Sequence, residues 1–109
     1  MKSYNNVTLI GRAVQTPEIK DTGKSRTQFA LAVDRPYKDT EGKRPTDFLQ
    51  VVAWGKLAEI CQEYIKKGNL ILVSGRIQSR SYELDKETKW ITEVIAESIN
   101  VLEYTKKAA

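Results

Sequence analysis

Phe48, Gln50, Val52 and Trp54 recur at every second position, and so do Arg76, Gln78, Arg80 and Tyr82. Residues two apart in an extended chain share a face, so each run sets rings beside amide or guanidinium groups. Rings stack on other flat π-systems, and cations pair with phosphate. Single-stranded nucleic acid presents both partners at once, as unpaired base faces and a charged backbone. A strand facing a core would not carry Arg76, Gln78 and Arg80 in a row, because burying those groups unpaired is costly. Phe48 and Trp54 also admit a packing reading, since large aromatics are usually interior. Leu49, Val51 and Ala53 already supply the apolar side of that strand, which favours an outward Phe48 and Trp54.

The charge pattern agrees. The chain has 109 residues, with 18 basic and 14 acidic side chains and a net charge of +4. No acidic residue lies between Glu63 and Glu83, while Lys66, Lys67, Arg76 and Arg80 fall in that window. Such a stretch suits phosphate, although it equally describes a solvated face. There is no histidine and one cysteine, Cys61. That removes the commonest general base, the usual nucleophilic triads and an internal disulfide. No phosphate-binding glycine loop is present either. Catalysis, a metal and a cofactor are therefore not expected. A lone cysteine and a polar stretch from Met1 to Asn6 fit a reducing, cytoplasmic protein without a secretory signal. The apolar runs, such as Leu70 to Val73, are too short to span a bilayer.

The elements that must position these residues follow from hydrophobic period. Tyr4 to Ala13 reads as a strand containing Gly11. Arg26 to Arg35 alternates, with Thr27, Phe29, Leu31 and Val33 on one side. Pro36 to Pro45 is a long polar hairpin loop, and Thr46 to Trp54 is a third strand. The period then changes: Leu57, Ile60, Cys61 and Tyr64 match an amphipathic helix. Lys66 and Lys67 are assigned to its last turn and Gly68 to its left-handed cap. Leu70 to Tyr82, with Gly75, and Trp90 to Glu103 complete the strands, joined by a charged loop over Glu83 to Lys89. Asp21-Thr22-Gly23-Lys24 is a turn signal. Phe29, Tyr64 and Cys61 are read as packing, and Trp90 as packing rather than binding. Residues 1–104 form a single domain, with a frayed end over 105–109. Three strands, a short helix and two strands give an all-β fold, the order of an OB-fold. That is a five-stranded Greek-key barrel with its helix between strands 3 and 4. Glycines inside the first and fourth strands suit the bends that small barrels need.

Ordered motifs sharpen the reading. Asn6-Val-Thr-Leu-Ile-Gly-Arg12, Thr16-Pro-Glu18, Phe29-Ala-Leu-Ala-Val33, Val51-Val-Ala-Trp-Gly-Lys-Leu-Ala-Glu59, Tyr64-Ile-Lys-Lys-Gly68, Val73-Ser-Gly-Arg-Ile-Gln-Ser-Arg-Ser-Tyr82 and Thr92-Glu-Val94 occur in sequence. The set, spanning roughly residues 3 to 103, resembles the bacterial single-stranded DNA-binding protein (SSB) family. The resemblance implies sequence-tolerant binding of single-stranded DNA during replication, recombination and repair. It also implies a nucleoid-associated homotetramer, built as a dimer of dimers. Stacking positions fall on Tyr37, Phe48, Trp54 and Tyr82. Basic and polar contacts fall on Lys56, Lys67, Arg76, Gln78 and Arg80. Three stacking positions that are often tryptophan in the family are Tyr37, Phe48 and Tyr82 here. Gln50 stands where a basic residue is common. Most members end in an acidic tip that recruits replication proteins; these residues end Lys106-Lys107-Ala108-Ala109, so no such recruitment is expected. A primosomal accessory OB protein, working mainly through protein contacts, is the alternative. An OB module for RNA, oligosaccharide or protein is a further one.

Overall fold

The computed structural model describes residues 2–21 and 23–105. Six strands and one helix follow in the order β1 (Val7–Ala13), β2 (Ile19–Asp21), β3 (Ser25–Asp34), β4 (Thr46–Trp54), α1 (Gly55–Tyr64), β5 (Leu70–Leu84) and β6 (Glu87–Glu103). Strand neighbours run β1-β5-β6-β4-β3-β2, and β1 also pairs with β3. That last pairing closes the five long strands into a ring, the OB barrel expected from the sequence. Closure depends on β1 changing partners. Val7 to Arg12 pair with Gly75 to Leu70 of β5, and Arg12 and Ala13 pair with Ala32 and Leu31 of β3.

Two glycines permit this geometry. A Cβ on Gly11 would collide with the Ala32 carbonyl oxygen of β3, and one on Gly75 with the Ile95 carbonyl oxygen of β6. Gly75 also sits at a register shift in the β5–β6 pairing, the sort of bulge that bends a strand around a barrel.

Alternation along the strands fills the interior. Phe29, Leu31, Val51, Ala53, Ile71, Val73 and Val94 form the core, and Ala58, Cys61 and Ile65 close one end. Fully burying side chains such as Phe29 and Leu31 contributes roughly 1.5–3 kcal/mol each. Buried polar groups are satisfied: Thr27 donates to the Glu18 carbonyl at 2.8 Å, and Asn69 donates to Thr105 Oγ1 at 2.9 Å.

Several local expectations change. β2 was not foreseen; it hydrogen-bonds to the outer edge of β3, Ile19 opposite Thr27, where the sequence indicates loop and turn. Thr22 of the expected turn lies outside the described residues. The helix ends at Tyr64, so Lys66 and Lys67 lie beyond it. Gly68 has φ of +90°, but in a tight turn closed by the Asn69 amide on the Lys66 carbonyl at 3.0 Å. The helix buries Ala58 and Cys61, while Ile60 and Tyr64 are exposed; the apolar stripe is narrower than its spacing implies. The charged loop over Glu83 to Lys89 is instead strand around a two-residue turn. Asp85 and Lys86 both have positive φ, 51° and 66°, as a type I′ hairpin turn requires. Trp90 therefore stands on a ribbon and is 71% exposed rather than packed. Thr105 Oγ1 donates to the Lys67 carbonyl at 3.0 Å; the rest of the end expected to fray lies outside the described residues.

Candidate nucleic-acid interface

The barrel's outer face across β3, β4, β6 and β5 gathers the singled-out side chains into one surface. Register fixes the grouping. Arg26 pairs with Trp54, Gln28 with Val52, Ala30 with Gln50 and Ala32 with Phe48. Val52 pairs with Ile95 of β6. Ile95 pairs with Arg76, Glu93 with Gln78, Ile91 with Arg80 and Lys89 with Tyr82. Directly paired side chains point the same way, so these residues share one side of the sheet.

Exposure separates platform from core. Phe48 is 65% exposed, Trp54 44% and Tyr82 43%, whereas Phe29 is fully buried. Phe48 and Trp54 are six residues apart on one strand, about 20 Å at strand rise. That distance spans several nucleotides of an extended strand. Tyr37 is 55% exposed in the loop joining β3 to β4. The Arg35 guanidinium donates to Tyr37 Oη at 3.1 Å and to Asp47 Oδ1 at 2.9 Å. Arg35 thereby holds the Asp47 carboxyl below its ordinary range, and its own pKa is raised chiefly by the hydrogen bond to Asp47.

A hydrogen-bonded row crosses the face beside the rings. Arg26 Nη2 donates to Gln28 Oε1 at 3.1 Å, and Gln28 Nε2 donates to Gln50 Oε1 at 3.0 Å. The Arg26 guanidinium carbon lies 5.4 Å from the Trp54 ring centroid, within cation–π range. Arg76 Nη1 donates to Gln78 Oε1 at 2.6 Å. Arg80 Nε donates to Glu93 Oε1 at 2.7 Å; this bond is the first cause of the raised Arg80 pKa. Between Trp54, Arg26, Gln78 and Arg80 lies an open hollow of about 410 Å³. A neighbouring polar hollow of about 470 Å³ runs from Gln28 and Gln50 to Thr16 and Lys20.

Among the ten residues singled out by sequence, Phe48, Gln50, Trp54, Arg76, Gln78, Arg80 and Tyr82 meet on this surface. Lys56 is exposed two residues after Trp54, at the start of α1, and Tyr37 is exposed on the adjoining loop. Lys67 is placed apart, in the turn after α1, where its amide donates to Thr16 Oγ1 at 3.0 Å. Sequence reasoning missed Arg26, Gln28 and Glu93. The signal for Glu93 was a single carboxylate at every-second spacing between Ile91 and Ile95. Arg26 and Gln28 become visible only through the β3–β4 register.

Residues 4–102 match the single-strand binding protein family. Single-stranded DNA-binding protein 1 of Clostridium acetobutylicum is 44% identical, over 95% of this chain and 98% of its own length. The single-stranded DNA-binding protein of Clostridium tetani is 48% identical, over 94% of this chain and 73% of its own. Among solved structures, the Plasmodium falciparum SSB complex with ssDNA superposes with a TM-score of 0.80 at 28% identity, covering 96% of this chain and 98% of that one.

Proposed function

This chain belongs to the single-strand binding protein family, and we propose that it binds single-stranded DNA with little regard to sequence. Binding rather than turnover is its activity. Bases stack on Tyr37, Phe48, Trp54 and Tyr82. Every base has a π-face, so stacking tolerates any sequence. Lys56 and Arg76, with Gln50 and Gln78, border those rings and meet the phosphates and base edges, whereas Lys67 lies apart from them and Arg80 is held by Glu93. Paired bases cannot reach the rings, so duplex DNA binds weakly. The observation that carries this reading is the exposure of Phe48, Trp54 and Tyr82 on one face already lined with guanidinium and amide groups.

The same reading places the protein in the cytoplasm, on strands exposed by replication, recombination and repair, as a homotetramer. Supporting assembly are the apolar side chains of Ile10 on β1 and Leu102 on β6, which are exposed to solvent.

Titration with oligo-dT of increasing length, at several salt concentrations and on protein of measured solution mass, tests these points together. Tight binding that saturates at a fixed occluded length and weakens with salt is expected. Comparable affinity for duplex DNA would refute the stacking mechanism. Feeble oligo-dT binding beside a tight protein partner would favour an accessory role instead.

A further inference from the structure

Glu93 is 2% exposed, yet it lies on the DNA-facing side of the sheet. A carboxylate withdrawn from water needs cations and hydrogen bonds in its place. Arg80 of β5 supplies Nε at 2.7 Å and Nη2 at 3.4 Å. Arg26 of β3 brings Nη2 to 3.9 Å of Glu93 Oε2, the oxygen that Arg80 Nη2 also approaches. Arg26 in turn lies over the Trp54 ring. One buried acid thus draws together arginines from two strands, under the middle of the ring surface. The three side chains carry a net charge of +1, not +2.

Resting on the single-strand reading above, we propose that Glu93 is a positioning residue of the interface, which anchors Arg80 and withdraws its charge from the phosphate backbone. The Arg80–Glu93 pair is then a neutral brace beneath the DNA. Lys56, Arg76 and Arg26 set the salt dependence, and Arg80 adds nothing to it. Glu93 also keeps Arg26 in place at Trp54, so the ring is held where a base meets it.

The slope of log affinity against log salt reports this directly. For single strands each neutralised phosphate contributes about −0.7 to that slope. Oligo-dT is the probe, and circular dichroism melting checks each variant's fold. Glu93→Gln keeps the side-chain shape but frees one guanidinium charge. Its slope is expected to steepen by about 0.7, which is roughly fivefold more affinity lost per tenfold rise in salt. Removing the pair together, as Arg80→Gln with Glu93→Gln, is expected to leave the wild-type slope unchanged. Lys56→Ala, the control for an exposed cation with no ion pair among the described residues, is expected to flatten it by about 0.7. A merely structural Glu93 would shift melting and leave the slope alone. An unchanged slope in a folded Glu93→Gln protein overturns the proposal. If that variant does not fold, a flatter slope in the double variant overturns it equally well. Failure of the wild-type protein to bind oligo-dT would refute the preceding function itself, a result separable from either of these.

Discussion

Replacing Trp54 by alanine separates a binding platform from a core residue. The ring is 44% exposed on the outside of β4, with the Arg26 guanidinium 5.4 Å from its centre. Its share of the fold is therefore limited to part of a side-chain burial and an open cation–π contact, about 0.5–1 kcal/mol for the latter. Its share of binding is one stacked base, roughly 1–3 kcal/mol. Since 1.4 kcal/mol is tenfold in affinity, Trp54→Ala should weaken oligo-dT binding by about 5- to 150-fold per barrel. The protein should still melt cooperatively. Phe29→Ala is the contrasting case: that ring is wholly buried between strands, and its loss should cost about 3–5 kcal/mol of stability. Anisotropy of a labelled oligo-dT is the suitable assay, because Trp54→Ala leaves Trp90 as the only tryptophan and distorts intrinsic emission. Unchanged affinity in a folded Trp54→Ala protein would refute the assignment of this ring. A collapse in stability as large as that of Phe29→Ala would refute the reasoning from exposure.

Other outcomes follow from the same geometry. Gly75→Ala drives a methyl into the Ile95 carbonyl oxygen at the β5–β6 bulge; chemical denaturation should show a loss of about 1–3 kcal/mol or more. Burial pushes the Cys61 thiol up to about 12, so it stays protonated near neutral pH. A chromogenic disulfide reagent should label it only after denaturant is added, and rapid labelling of native protein would contradict its place in the core. The Asp47 carboxyl is held below its ordinary value of 3.8 by Arg35. A depressed acid stabilises the fold above its unfolded value and loses that contribution as pH falls through the folded one. The contact around Tyr37 should therefore be constant from pH 5 to 8 and fail only below 3.8. Backbone resonances of the loop between Arg35 and Asp47, followed during acid titration, would show whether it does.

Long strands were legible because half-buried strands alternate. Thr46 to Trp54 was read with the bounds it has, and the inward set of Thr27, Phe29 and Leu31 is buried as its spacing implies. β2 was invisible because three residues carry too little alternation to register. The hairpin tip was misread for the opposite reason. Glu83 to Lys89 is charged, and charge suggests loop, but a ribbon exposed on both faces has no apolar side to show. Asp-Lys is also an unusual pair for two consecutive positive φ angles, where Asn-Gly would have announced the turn. Tyr64 fits the helical spacing yet lies past the width of core that α1 covers. The candidate surface was half legible. Period two set Phe48, Trp54 and Tyr82 on faces that are exposed in the structure, but nothing in a linear sequence says which strands adjoin. The Arg26–Trp54 and Arg80–Glu93 contacts belong to that missing information.

The β5–β6 pairing has a mechanical consequence. Asn5 grips Ile77, accepting from its amide at 2.9 Å and donating to its carbonyl at 2.6 Å. β1 leaves β5 at Gly75, and β4 pairs with β6 only at Val51–Val94 and Val52–Ile95. Among the described residues, from Gln78 outward to Leu84 the two strands have ladder partners only in each other, an arm of about 20 Å. A two-stranded ribbon on its own is marginally stable in water, so its amides should exchange with solvent well before those of the barrel. Phe48 and Trp54 ride on a stiff deck, while Tyr82 rides near the tip of a cantilever. Under the proposed stacking, two rings would fix the path of the nucleotides they meet, and the third, on its softer support, would follow the next base wherever the chain has carried it.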